Sequence, residues 1–110
     1  MAGGCNQMSI SSTFGVSRGS ARAFVQKRLA DFTIRCFSQP LEAPTHAAHK
    51  LPRSYIASVK AGYPAKAVFD PFAARARREG WSFHELPTGH DCQAEMPEAL
   101  CELLLKVAST

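Results

Sequence analysis

No stretch of this 110-residue chain approaches the roughly 20 consecutive apolar residues that a membrane-spanning helix needs. An apolar signal core is missing too, because Met8, Ile10 and Phe14 are diluted by polar neighbours. The four cysteines, Cys5, Cys36, Cys92 and Cys101, form no C-x-x-C pair. Their spacing fits neither a zinc site nor a dense disulfide framework, so free thiols in a reducing, cytoplasmic setting are expected. His46 and His49 make an H-x-x-H in a Pro-rich loop, but no second pair of ligands lies nearby. Neither a metal nor an organic cofactor is expected.

Acidic residues are missing from the first 30 positions, where Arg18, Arg22, Lys27 and Arg28 stand alone. The remainder carries nine basic and nine acidic side chains, so the formal charge of +4 belongs entirely to the N-terminal segment. Nucleic-acid surfaces interleave basic clusters with exposed aromatics. The other basic cluster, Arg75, Arg77 and Arg78, lies on the expected solvated face of a helix. No nucleic-acid or membrane partner is therefore expected. With 45% hydrophobic and 20% charged residues, the composition is that of a folded chain. Its length allows one small domain or a piece of a larger one.

Residues 1–13 are Gly/Ser-rich without a period and read as a disordered N-terminus. Ser20 to Ala30 forms a first helix, with Ala21, Phe24, Val25 and Leu29 on one stripe and Ser20 as N-cap. Residues 38–53 contain three prolines, each disfavouring helix before it, and read as an extended connection. Ser54 to Val59 is short and β-rich, hence a strand. Asp70-Pro71 reads as N-cap and first helical residue, with Phe69, Phe72, Ala73 and Ala76 at helical spacing and Gly80 as the stop. Trp81 to Leu86 is a second strand, Thr88-Gly89-His90-Asp91 a polar loop, and Pro97 to Val107 a last helix with Leu100, Leu103, Leu104 and Val107 on one face. Strand, helix and strand with so long a crossover imply a parallel pair, and two parallel strands alone make a poor sheet. The fold class is therefore α/β, with the look of an edge: residues 14–53 form a helix and connection, residues 54–110 a βαβα unit.

Parallel sheets collect functional residues in the loops leaving the C-terminal strand ends. One ordered set of motifs stands out: Leu51-Pro52-Arg53-Ser54-Tyr55-Ile56, Gly80-Trp81, Thr88 to Asp91, Met96-Pro97-Glu98-Ala99-Leu100, and Leu103-Leu104-Leu105. In that order it resembles the C-terminal part of the α/β-hydrolase family, in the branch of small esterases that includes plant methyl-ester esterases and hydroxynitrile lyases. Phe24 to Leu29 and Gln39-Pro40-Leu41 resemble the end of that branch's cap region, so the likeness covers roughly residues 14–108.

The resemblance implies a Ser-His-acid triad in that chain order, with His90 as general base. It implies a small ester as substrate, and a fragment or shortened homologue that is inactive alone. Gly15-Val16-Ser17-Arg18-Gly19 matches G-x-S-x-G literally, but the preceding residues are too polar for a buried strand. About 70 residues between Ser17 and His90 leave no room for the intervening strands, so the match is read as accidental. The family's acid falls near positions 60–62, which here are Lys60-Ala61-Gly62. Asp70 reads as a helix cap, Glu85 as a strand residue, Asp91 as a loop hydrogen-bonder, and Cys92 as an ordinary thiol. The competing class of function is a non-catalytic α/β module that binds a partner or self-associates through its exposed sheet edge.

Overall fold

The computed structural model describes residues 13–16, 19–31, 33–42 and 47–110. Of the expected disordered segment 1–13, all but Thr13 lies outside these, Cys5 included, as do Ser17, Arg18 and His46. In chain order come α1 (Gly19–Gln26), a short α2 (Arg35–Ser38), a 3-10 turn (Ala48–Lys50), β1 (Ser54–Ser58), α3 (Lys66–Arg78), β2 (Ser82–Leu86), a short α4 (Cys92–Glu95) and α5 (Pro97–Ala108). The architecture is mixed α/β, built on a two-stranded parallel sheet.

The two strands run in register from Ser54 beside Ser82 to Ser58 beside Leu86. Tyr55 stacks on Phe83 across the ladder at 5.6 Å. α3 crosses from one strand to the next and is tied to β2 through Arg77. Its guanidinium lies 3.7 Å over the Phe83 ring and 2.7 Å from the Glu85 carboxylate. A second tie closes the other end of the sheet. Glu79, just past α3, accepts from Arg75 (2.7 Å) and from the Trp81 indole (3.1 Å), and pairs with Arg53 at 3.5 Å.

Several boundaries differ from the sequence reading. α3 begins at Lys66, so Asp70 is not its N-cap and Pro71 is its sixth residue. The early start is tertiary: the Ala65 N–H, just before the helix, donates to the Thr13 carbonyl at 3.0 Å, and Lys66 reaches Asp70 one turn on at 2.7 Å. Pro71 then leaves the Ala67 carbonyl without its usual helical donor. α1 also starts earlier and stops earlier than its stripe, which puts Ser20 inside the helix rather than at its cap. After Gln26 the Arg28 side chain folds back, donating to the Phe24 carbonyl (3.0 Å) with its guanidinium 3.6 Å over the Phe24 ring. The connection before β1 is not uniformly extended, since α2 and the 3-10 turn interrupt it. Gly80, at φ +70°, ends α3 as expected.

Among the described residues the buried apolar set is short, and half of it is alanine: Val16, Ala57, Tyr63, Ala65, Ala76 and Leu86. Of these only Val16 and Ala76 reach 0% exposure. Larger apolar side chains lie outside, including Phe72 on α3 and Leu104 and Leu105 on α5, which has no buried residue. Burying a Leu or Phe typically stabilises a fold by about 1.5–3 kcal/mol, and most of that is unused here. Among the described residues no helix is long and apolar enough to cross a membrane.

Candidate functional site

The loop leaving the C-terminal end of β2 is held from three sides. The Lys60 N–H, just beyond β1, donates to the Thr88 carbonyl (3.1 Å), so the two strand-end loops are joined. The His90 N–H donates to the Phe14 carbonyl (2.8 Å), which docks the N-terminal segment on the loop. The Gly89 N–H donates to Glu95 Oε2 (2.7 Å) from α4.

Lys60 completes the frame. Its ammonium donates to the Gly15 carbonyl (2.9 Å) and to Glu95 Oε1 (3.4 Å). One lysine and one glutamate thereby tie together β1's loop, β2's loop, α4 and residues 14–15. Gly89 has to be glycine in this packing, because a Cβ there would sit 2.6 Å from the Phe14 carbonyl oxygen. Thr88 is buried, and its hydroxyl oxygen has no partner among the described residues. Tyr63, buried beneath the same loops, donates to the Ser58 carbonyl at 3.4 Å. Burial raises its phenol pKa above the usual range, with the nearby Lys66 charge opposing.

His90 projects from this frame and is exposed. Its ring stacks on Phe69 of α3 at 4.1 Å with an interplanar angle of 1°, and Phe14 lies 5.5 Å away. Two cavities share it as a wall. One, of about 500 Å³, runs along β1 and under α3. The other, of about 380 Å³, lies between α1 and α4 and is lined by Phe14, Phe24, Val25 and Leu29, with Arg28 and Asp91 at its polar side. An imidazole between an apolar pocket and solvent can take up and return a proton.

The other residues singled out by sequence lie elsewhere in chemistry. Among the described residues no carboxylate forms an ion pair with the His90 ring. Asp70 pairs with Lys66, Glu85 with Arg77, and the Asp91 carboxylate accepts from Gln93 at 3.2 Å. Cys92 opens α4, and its sulfur meets Gln93 Oε1 at 3.8 Å rather than His90. Cys36, Cys92 and Cys101 are free thiols. His49 sits in the 3-10 turn with Nδ1 3.0 Å from Arg53, and no cluster of three metal-ligating side chains occurs among the described residues.

Ser17 lies outside the described residues; before it, Phe14 and Gly15 form a turn. Sequence reasoning missed the Lys60–Glu95 clamp, the Phe69 stack and the docking of Phe14. In sequence Lys60 marks only the place where the family's acid is absent. A lysine in one strand-end loop with a glutamate six residues past a Gly in the next was the available signal.

This is a mixed α/β unit with a histidine at the C-terminal rim of its sheet. No family model matches the chain, and neither a curated protein nor a solved structure matches it.

Proposed function

We propose that the chain is the C-terminal part, or a shortened homologue, of an α/β-hydrolase that cleaves small carboxylic esters, with His90 as its general base. One observation carries the reading. His90 stands on the loop after the second strand of a parallel β-α-β unit, exposed between two cavities, and three other segments hold that loop. Active sites of parallel sheets lie at that rim. The apolar cavity beside α1 suits the alkyl or acyl part of a small ester. The segment lining it is the one that resembles the family's cap.

In that chemistry His90 takes the proton of a serine as it attacks the ester carbonyl, then returns it to the departing alcohol. The serine and the orienting acid come from elements other than those described. Lys60 stands where the family's acid would be and bonds to Glu95 instead. The many exposed apolar side chains and the two-stranded sheet support a unit designed to pack against further strands.

The isolated chain is expected to hydrolyse an activated acetate ester at the buffer rate, unchanged by Ser17→Ala or His90→Ala. Activity lost on both substitutions together would overturn the reading of Ser17. The hydrolase reading itself is tested on a chain extended by its upstream coding sequence. There an in-frame G-x-S-x-G after an apolar strand is expected, and His90→Ala should lower kcat by about 10⁴-fold or more. An extended chain whose esterase activity ignores His90 ends the proposal.

A further inference from the structure

Three rings from distant segments meet at the rim of the sheet: Phe14, Phe69 and His90. Phe14 lies 6.4 Å from Phe69 and 5.5 Å from the imidazole, tilted by 39° and 40°. The Phe69–His90 pair differs from both, with its rings parallel within 1° and 4.1 Å apart. Aromatic pairs ordinarily sit offset or edge to face, with centroids roughly 4.5–7 Å apart. Two flat faces in direct contact therefore fix the plane of the imidazole more narrowly than a tilted neighbour does.

An exposed histidine on a loop needs such a contact, because its last torsion is a broad well that sets no ring plane of its own. The main chain is already fixed, since the His90 N–H donates to the Phe14 carbonyl at 2.8 Å. His49 and His84 each engage a ring nitrogen in a hydrogen bond, with Arg53 at 3.0 Å and Ser82 at 2.9 Å. Among the described residues the nitrogens of the His90 ring have no such partner.

We infer that Phe69 is the positioning residue of His90. Its face holds the imidazole plane, while both ring nitrogens, which bond within that plane, stay open for protons. A carboxylate or amide would hold the ring only by occupying one of them. A general base needs one nitrogen for the serine and the other for its acid, so this role rests on the hydrolase reading of His90. Tertiary contact puts Phe69 in place. It is the fourth residue of α3, which follows Ala65, whose N–H donates to the Thr13 carbonyl at 3.0 Å. Phe69 lines the cavity along β1 and not the apolar one beside α1, whereas His90 lines both. It thus touches the base but not the pocket assigned to the alkyl or acyl part of the ester.

Nuclear magnetic resonance on the 110-residue chain tests the contact. The carbon-bound ring protons of His90 should give cross-relaxation peaks with those of Phe69. In Phe69→Leu they should move downfield, because the shielding ring is gone, while the signals of His49 stay in place. Missing cross-peaks in the parent, or His90 signals indifferent to the substitution, overturn the inference. The cross-peaks need no variant, so they decide even if Phe69→Leu fails to fold. Activity of the chain extended by its upstream coding sequence tests the role. Phe69→Leu should lower kcat about 10- to 100-fold, the effect of misplacing a reacting group by about 1 Å, and leave KM within about twofold. Phe69→Tyr keeps the stacking face and should recover most of the lost rate. A kcat that falls with His90→Ala yet ignores Phe69→Leu overturns the inference alone. A kcat that ignores both substitutions overturns the hydrolase reading, and the role of Phe69 with it.

Discussion

Gly89 is the residue on which the rim of the sheet turns. Its missing side chain lets Phe14 and Gly15 lie directly against the loop, with the Phe14 carbonyl oxygen only 2.6 Å from where a Cβ would stand. The obstacle is backbone on both sides, so no side chain can swing aside. Gly89→Ala is expected to destabilise the fold by about 1–3 kcal/mol, the usual range for overpacking. The change should also expose Phe14, raising the loop's proteolysis rate. Urea denaturation of the two proteins checks this; a variant within about 0.5 kcal/mol of the parent would mean that residues 13–16 do not dock there. His90 itself was legible in sequence, because a strand pattern followed by a polar Gly-His loop needs only neighbours to be recognised. Its surroundings were not. Phe69 and Phe14 approach its ring from 21 and 76 positions away in the chain, and nothing in a periodic pattern announces that meeting.

Elements are joined mainly by charge-bearing clamps, because few large apolar side chains are buried between them. Glu79 is the hub of one, tying the end of α3 to the entries of β1 and β2 through Arg75, Trp81 and Arg53. The Arg75 hydrogen bond is the largest cause holding its carboxyl pKa below the usual range, with burial opposing and the Arg75 charge, Trp81 and Arg53 adding to it. The unfolded carboxyl thus binds a proton at higher pH than the folded one. Its stabilisation is complete above the unfolded pKa and is lost as pH falls through the folded pKa. Glu79→Gln should therefore melt below the parent at neutral pH, and the gap should close as pH falls through the lowered titration of this carboxyl. A gap that stays constant across thermal melts in that series would show that the clamp acts through packing alone. The sequence marked the helix and both strands here but misplaced the start of α3. Asp70-Pro71 has the form of a cap and first residue, yet the Thr13 carbonyl satisfies the Ala65 N–H a turn earlier.

For the molecule as a whole, the distribution of apolar residues is the dominant fact. Leu104 and Leu105 of α5 are 50% and 71% exposed, and Phe72 of α3 is 57% exposed. Exposed apolar groups in such number mark surfaces meant to be covered. Replacing Leu104 and Leu105 together by serine should change unfolding free energy by less than about 0.5 kcal/mol per site, as expected for exposed positions. The same change should reduce binding of the dye ANS. A marked loss of stability would show that α5 packs against the body more closely than its exposure indicates. Helical periodicity predicted that Leu100, Leu103, Leu104 and Val107 share a face, and the helix forms where expected. What that face packs against was not readable, because periodicity names a buried side without naming its cover.

Residue order alone determined the alternation of strand, helix and strand, the parallel pairing, the turn at Gly80 and the position of His90 at a strand end. Each rests on interactions within a few residues or on the handedness and reach of a crossover. Tertiary contact decided the start of α3, the service of Lys60 with Glu95 as a clamp, and the docking of Phe14 on the His90 loop. Those outcomes depend on which backbone donors and acceptors meet when distant segments close, and chain order does not encode that distance.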